Sequence, residues 1–128
     1  MSLRLAAALL YTGVSAGIVV FQVALAAGVP WGAYAMGGAF PGTFPLTLRV
    51  AALVQAALIA GMAVVVLSRA GLVLRGWSGV TRWLVWVAVA FAAVSFVLNL
   101  ITPSAAERAI WAPVALLLLA SSTVVATK

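Results

Sequence analysis

Residues 48–67 read LRVAALVQAALIAGMAVVVL, and after Arg49 this stretch contains no charged side chain. About 20 mostly apolar residues are enough for a helix to cross the roughly 30 Å hydrocarbon core of a bilayer. Hydrocarbon offers no hydrogen-bond partner to backbone amides, so the amides of such a segment must bond within it. The stretch therefore predicts a transmembrane α-helix.

Three further stretches have the same character, and they cover about residues 5–27, 83–101 and 109–126. We expect one membrane domain over residues 1–128, an all-α polytopic membrane protein with a four-transmembrane-helix bundle. The first stretch follows MSLR, as a secretory signal would, but the apolar core of a signal is usually about 7–15 residues long. This stretch is longer, and we expect the first helix to be retained.

The overall composition indicates which solvent surrounds the protein and which kinds of catalysis it lacks the residues for. The chain is 67% hydrophobic and 6% charged, whereas soluble domains are about a quarter charged. It has no His and no Cys, and Glu107 is its only acid. Metal sites need several such ligands, and a serine nucleophile needs a nearby base. We therefore expect a non-catalytic protein with no metal and no cofactor.

The net charge of +6 comes from single positive residues at the ends of apolar runs, so we expect membrane lipid and not nucleic acid as the partner. Positive residues in short loops stay cytoplasmic. With four spans, both termini and the second loop share one side, and that side carries Arg4, Arg69, Arg75, Arg82 and Lys128. The other side carries only Arg49 and Arg108. This asymmetry predicts that both termini are cytoplasmic (N-in/C-in).

The second loop, around SRAGLVLRGWSGVTR, is short and basic. Gly71 is expected to end the second helix in a left-handed conformation. Gly76, Ser78 and Gly79 are expected to form the turn that leads to Trp83. We interpret this loop as a connector whose arginines contact anionic headgroups, with a dedicated acidic-lipid site as the alternative.

The first loop, residues 28–47, has no charge and is rich in Gly, Pro and aromatic residues. Gly and Pro break helices, while aromatic rings concentrate at the membrane–water boundary. We expect an external loop folded into the headgroup region or over the mouth of the bundle. A lid or ligand-lining segment is the alternative. The residues of interest are Trp31, Tyr34, Gly37 and Gly38.

The single acid has a structural explanation and a functional one. Ser104 and Glu107 have the spacing of a capping box, in which the two residues exchange hydrogen bonds at a helix start. The predicted topology also gathers polar residues at this external end, as a structural clasp or a site. The candidate external polar cluster is Arg49, Asn99, Ser104, Glu107 and Arg108. Within it we expect an ion pair between Arg49 and Glu107.

Gln22 and Gln55 are the most costly polar residues inside the predicted spans, because an unpaired amide in hydrocarbon costs several kcal/mol. We expect them to face protein and to reach each other or Asn99. Two small-residue motifs, Gly13…Gly17 and Ala88…Ala92, are expected to let helices approach closely.

Two stretches resemble segments of a family of small bacterial four-helix membrane proteins with no assigned activity. They are PWGAYAMGGAFPGTFPLTLRVAAL at residues 30–53 and NLITPSAAERAIWAPVALLLL at residues 99–119. The recurring features are Gly37-Gly38, Leu48-Arg49, Asn99, Glu107-Arg108 and Pro113. The resemblance implies a multi-pass protein of the bacterial inner membrane. Members often carry an acid at the position of Ala33, which this chain lacks.

Three functions remain open at this point. The first is a non-catalytic bundle that self-associates or serves as an accessory subunit of a larger membrane complex. The second is a channel or transporter for a small neutral or anionic solute. The third is the binding of a lipid or isoprenoid under the first loop.

Overall fold

The computed structural model describes residues 1–128 and contains four long α-helices and no β-strand. α1 spans Leu3–Ala27, α2 spans Leu46–Arg69, α3 spans Ser78–Ile101 and α4 spans Ala105–Thr127. All four are long and apolar enough to cross a membrane. The predicted all-α four-helix bundle is confirmed.

The helices extend beyond the apolar runs, and α3 differs most from its predicted bounds. It begins at Ser78, directly after a short 3₁₀ turn at Arg75–Trp77, so the turn predicted at Ser78 and Gly79 is wrong. An apolar run marks the part of a helix that lies in hydrocarbon, whereas helical hydrogen bonding continues into the polar interface. The predicted end of α2 is confirmed, since Gly71 follows it with a left-handed φ of 82°.

The helices form a ring in chain order, with a long first loop between α1 and α2 and short connections between the later helices. α1 packs closely on α2, and α3 packs closely on α4. α1 and α4 also pack together, while the seam between α2 and α3 has the fewest contacts of the four neighbouring pairs. This seam is therefore the least closed side of the bundle.

The buried core is concentrated in one half of the bundle. This inner half, at the end that holds both termini, contains Ala8, Val66, Val85 and Val125, and each of them is completely buried. The other, outer half has only a small cluster of Leu25, Phe44 and Ala52 beneath the first loop. The two clusters leave a hollow region between them.

Candidate functional site

A cavity of about 770 Å³ occupies the hollow region between the four helices and the first loop. Its walls are mostly hydrophobic, and every helix contributes to them. The hydrophobic wall includes Tyr11, Ile18, Phe21, Leu58, Ile59, Met62, Phe91, Val94, Leu98, Trp111, Val114 and Leu118. The cavity is thus an apolar chamber inside a membrane-type bundle.

The α2–α3 seam forms a side of the cavity that is exposed to the surroundings of the bundle. Leu58 on α2 is 51% exposed, and Val94 and Leu98 on α3 are 58% and 57% exposed, yet all three also line the cavity. Side chains that contribute to both surfaces mark a lateral opening. In a bilayer, this opening would face lipid chains.

The first loop covers the outer end of the cavity. Tyr34, Met36 and Gly37 line the cavity from above, while Gly38 lies against Ser104. The loop folds back on itself through a hydrogen bond from the Gly32 N–H to the Gly42 carbonyl, at 2.9 Å. The first loop is therefore an ordered cover over the chamber.

Aromatic contacts fasten this cover to α1 and α4. The indole N–H of Trp111 donates to the Tyr34 carbonyl at 2.7 Å. The Phe21 ring stacks on Trp31 with centroids 6.1 Å apart, and it meets Trp111 at 4.7 Å. The aromatic residues of the loop thus contact the top of the bundle, and Tyr34 and Trp31 remain partly exposed.

Three amide side chains line the cavity. Gln22, Gln55 and Asn99 lie on three different helices, and all of them contribute to its wall. The Asn99 side-chain amide donates to the Ser95 carbonyl of its own helix at 2.7 Å. The expected direct bonds between these amides are not formed. The three residues share the cavity wall but make no hydrogen bond to one another.

Ser104, Glu107 and Arg108 do come together, around Thr102, which no sequence pattern indicated. The Ser104 hydroxyl accepts from the Glu107 N–H at 3.2 Å, which confirms one half of the predicted capping box. The other half runs through Thr102. Its hydroxyl accepts from the Ser104 N–H at 3.3 Å and donates to the Glu107 carboxylate at 3.1 Å. Arg108 donates to the Thr102 carbonyl at 3.1 Å.

Arg49 does not belong to this cluster, and the predicted ion pair with Glu107 is wrong. The Arg49 Nε donates to the Ala26 carbonyl at the end of α1, at 2.8 Å. The end of a helix leaves carbonyls without intrahelical partners, and an arginine can satisfy one of them. Arg49 therefore fastens α2 to α1, whereas Glu107 is held by Thr102.

The site offers hydrogen bonding and apolar contact. The polar residues Tyr11, Gln22, Gln55, Ser95, Asn99, Thr102 and Glu107 line the same cavity as the hydrophobic walls. No three His, Cys, Asp or Glu residues are grouped so that they could hold a metal ion. The arrangement is suited to holding a molecule that is mostly apolar and has a small polar end.

Comparison with known proteins gives no relative, since no protein-family model, curated protein or solved structure matches this chain. Function is therefore inferred from the cavity and its polar groups.

Proposed function

We propose that this protein is a non-catalytic multi-pass membrane protein that binds a lipid-like molecule in the cavity between its helices. The observation that carries the proposal is the cavity of about 770 Å³ with a lateral opening at the α2–α3 seam. Its volume is within the roughly 300–1,000 Å³ of ordinary ligand sites. A ligand with apolar chains could reach it directly from the bilayer.

The packed inner half of the bundle favours binding over passage through the membrane. A solute that entered the cavity would have to cross the layer of Ala8, Val66, Val85 and Val125, and each of these is completely buried. The ordered cover favours the same function, because Trp111 holds Tyr34 over the outer end. A lateral opening together with two closed ends favours the binding of a molecule that enters from the bilayer.

The polar groups indicate the class of head group. Gln22, Gln55 and Asn99 offer both donors and acceptors, and the Glu107 carboxylate is an acceptor. The carboxylate would repel an anionic head group. A hydroxyl on the ligand could instead donate a hydrogen bond to the carboxylate. The ligand class that fits is therefore a neutral lipid or isoprenoid alcohol, with the hydroxyl toward the covered end.

Mass spectrometry of lipid retained by the protein after extraction in mild detergent tests the proposal. We expect a neutral, hydroxyl-bearing lipid to remain bound to the wild-type chain. Ala115→Phe should displace it, because Ala115 is buried and lines the cavity. Ala120→Phe is the matched control, since Ala120 is an exposed residue of the same helix and is absent from the cavity wall.

A second variant guards against a folding defect in Ala115→Phe. Gln55→Leu removes an amide from the cavity wall without a large change of volume, and it should weaken retention of the lipid. A wild-type protein that carries no lipid would overturn the proposal. So would lipid retained equally by a folded Ala115→Phe and by the Ala120→Phe control.

Self-association is a second candidate function, and it is favoured by a difference between the two small-residue motifs. Ala88 and Ala92 are completely buried, so that motif serves packing within the bundle. Gly13 and Gly17 are exposed, and a Cβ added at either would meet nothing within 4 Å. A GxxxG motif permits close packing between transmembrane helices. We propose that α1 of a second copy of this chain packs against this glycine face of α1.

Crosslinking in membranes tests this second candidate. Gly17→Leu should abolish the crosslinked dimer, because the side chain would separate the two backbones. Gly61→Leu is the control, since Gly61 is an equally open glycine on α2. A wild-type protein that is monomeric, or equal loss in both variants, would contradict self-association through α1.

We infer that the membrane is the bacterial inner membrane and that both termini are cytoplasmic. The orientation is supported by the five positive residues on the side that holds the termini, against two on the other. The membrane type is supported by the resemblance of residues 30–53 and 99–119 to small bacterial four-helix membrane proteins.

A further inference from the structure

Three arginines from three different helices converge at the inner end of the bundle, away from the cavity. Arg4 lies in the first turn of α1, Arg69 is the last residue of α2, and Arg82 follows the start of α3. The positive charges of Arg4 and Arg82 both act on Arg69. A hydrogen bond between the Ser68 and Thr81 hydroxyls, at 3.4 Å, joins the two helix ends beside this cluster.

The inner arginine cluster, Arg4, Arg69 and Arg82, has no acidic side chain beside it. The only acid, Glu107, is in the first turn of α4 at the outer end. Like charges that share a site repel each other, and the repulsion is stronger where the site is partly shielded from water. An anion bound at the cluster would reduce this repulsion.

Five of the six arginines fall into two groups by their hydrogen bonding. Arg49 and Arg75 each donate through Nε to a backbone carbonyl at 2.8 Å, and Arg108 donates to the Thr102 carbonyl. In contrast, the Nε atoms of Arg4 and Arg69 are buried and have no partner. A buried donor without a partner is costly, and a charged one more so. The Nε–H groups of Arg4 and Arg69 are therefore available to an acceptor that binds at this cluster.

The surroundings of the cluster correspond to the level of lipid headgroups. Trp77 and Trp83 are 58% and 69% exposed near the start of α3, and exposed tryptophans concentrate at the membrane–water boundary. The Arg82 guanidinium lies 5.7 Å from the centre of the Trp83 ring. At this depth, the abundant anions are the phosphate groups of lipids.

We propose that Arg4, Arg69 and Arg82 form a binding site for a phosphate group at the inner end of the bundle. Guanidinium groups bind phosphate oxygens through paired, charge-assisted hydrogen bonds, and a phosphate would supply both the acceptors and the negative charge that the cluster lacks. The phosphate belongs either to the headgroup of an anionic lipid or to a soluble phosphate compound. This site is independent of the proposed cavity ligand.

Native mass spectrometry of the full chain, released from nanodiscs, tests the site with defined probes. One arm uses phosphatidylglycerol mixed with phosphatidylcholine, and the other uses phosphatidylcholine alone with added inorganic phosphate. We expect the wild-type protein to retain one phosphatidylglycerol in the first arm, or phosphate in the second if the natural source is soluble. Arg69→Gln should reduce retention about tenfold or more, the factor that corresponds to loss of a hydrogen bond to a charged group.

Arg75→Gln is the matched control, because it removes the same charge from the same loop but not from the cluster. It should change retention less than twofold, within the small effect of an exposed charge. Equal loss in Arg69→Gln and Arg75→Gln would mean general surface attraction and would overturn the site. Absence of both probes from the wild-type protein would overturn it as well.

Thermal unfolding gives a readout that does not depend on retention. In phosphatidylcholine without phosphate, Arg69→Gln should not lower the melting temperature, because it removes repulsion and an unpartnered donor. In phosphatidylglycerol, or with phosphate, the wild-type protein should gain more stability than the variant. Arg69→Lys, which keeps the charge but loses the paired donors, should gain an intermediate amount. An equal gain for wild type and Arg69→Gln would contradict the proposal.

Discussion

Gly32 is the residue on which the shape of the first loop depends most directly. It is buried, its N–H donates to the Gly42 carbonyl at 2.9 Å, and a Cβ added to it would overlap the Phe40 carbonyl oxygen. The obstacle is backbone on both sides, which cannot rotate away as a side chain can. The loop can therefore close only if this position has no side chain.

Gly32→Ala is expected to open the loop and to lower stability by about 1–3 kcal/mol, the usual cost of overpacking. Thermal unfolding in detergent, followed by tryptophan fluorescence, measures the change. Gly79→Ala is the control, because a Cβ there meets nothing within 4 Å. Equal melting temperatures for the two variants would contradict this account of the loop.

Ser104 links the start of α4 to the first loop, so the loss of its hydroxyl should destabilise both. Its hydroxyl accepts from the Glu107 N–H and donates to the Ala33 carbonyl, each at 3.2 Å. Ser104→Ala should lower the free energy of unfolding by about 0.5–2 kcal/mol, as for other helix caps. Ser78→Ala should change it little, since the N-cap of α3 is Trp77 and no side chain caps this helix start. A loss no larger than that of the Ser78 variant would argue against the cap.

The sequence predicted the cap at Ser104 because the spacing of Ser and Glu has one local explanation. It did not predict the role of Thr102, because no sequence spacing is typical of a hydroxyl that accepts a hydrogen bond from one residue and donates one to another. The Arg49–Glu107 ion pair was wrong for a related reason. Shared topology places both residues at one end of the bundle, but the Ala26 carbonyl, which Arg49 binds, becomes available only through the way α1 ends.

At the scale of the elements, the apolar runs were sufficient to place the helices but not their ends. Hydrocarbon requires a minimum length of apolar chain, so the centre of each helix is fixed by composition. The ends depend on local hydrogen bonding, such as the 3₁₀ turn that leads into α3 at Ser78. Composition also could not predict that the first loop covers the cavity. It indicates that the aromatic residues lie at an interface, but not which residues they contact.

The contact between Trp111 and Tyr34 is expected to control how firmly the loop is held. Trp111→Phe keeps a ring beside Phe21 but removes the indole N–H that donates to the Tyr34 carbonyl at 2.7 Å. Opening of the loop should increase roughly two- to tenfold, the factor that corresponds to a net hydrogen bond of about 0.5–1.5 kcal/mol.

A cysteine introduced at Ala35 measures this opening, because the chain has no other Cys and Ala35 lines the cavity. Its labelling rate by a maleimide should rise in the Trp111→Phe background. Trp83→Phe, at an exposed position on the opposite end of the bundle, should leave the rate unchanged. An equal rate in all three backgrounds would mean that this hydrogen bond does not hold the cover.

At the scale of the whole molecule, the bundle combines a packed inner half with a hollow outer half, and the sequence could not predict this division. In soluble proteins, the buried face of a helix can be recognised in the sequence as an apolar stripe. These helices are apolar on all sides, so neither the ring order nor the cavity can be read from periodicity. Only the polar residues Gln22, Gln55 and Asn99 indicated an interior, and they do line the cavity.

The orientation of the bundle decides which membrane leaflet each half meets, and it is tested with single cysteines in a chain that has none. Ala39 and Gly76 are exposed residues of the first and second loops. In intact cells, an impermeant maleimide should label Ala39→Cys and not Gly76→Cys, because the second loop lies on the side with more positive residues. Permeabilised cells, in which both should react, provide the control.

The result also bears on the two proposed sites. The cytoplasmic leaflet is negative, so the predicted orientation brings the inner arginine cluster to anionic headgroups and the covered cavity to the opposite leaflet. Labelling of Gly76→Cys alone would reverse this arrangement. The arginines would then meet the outer surface of the membrane, where a soluble phosphate compound would be the better candidate for their acceptor.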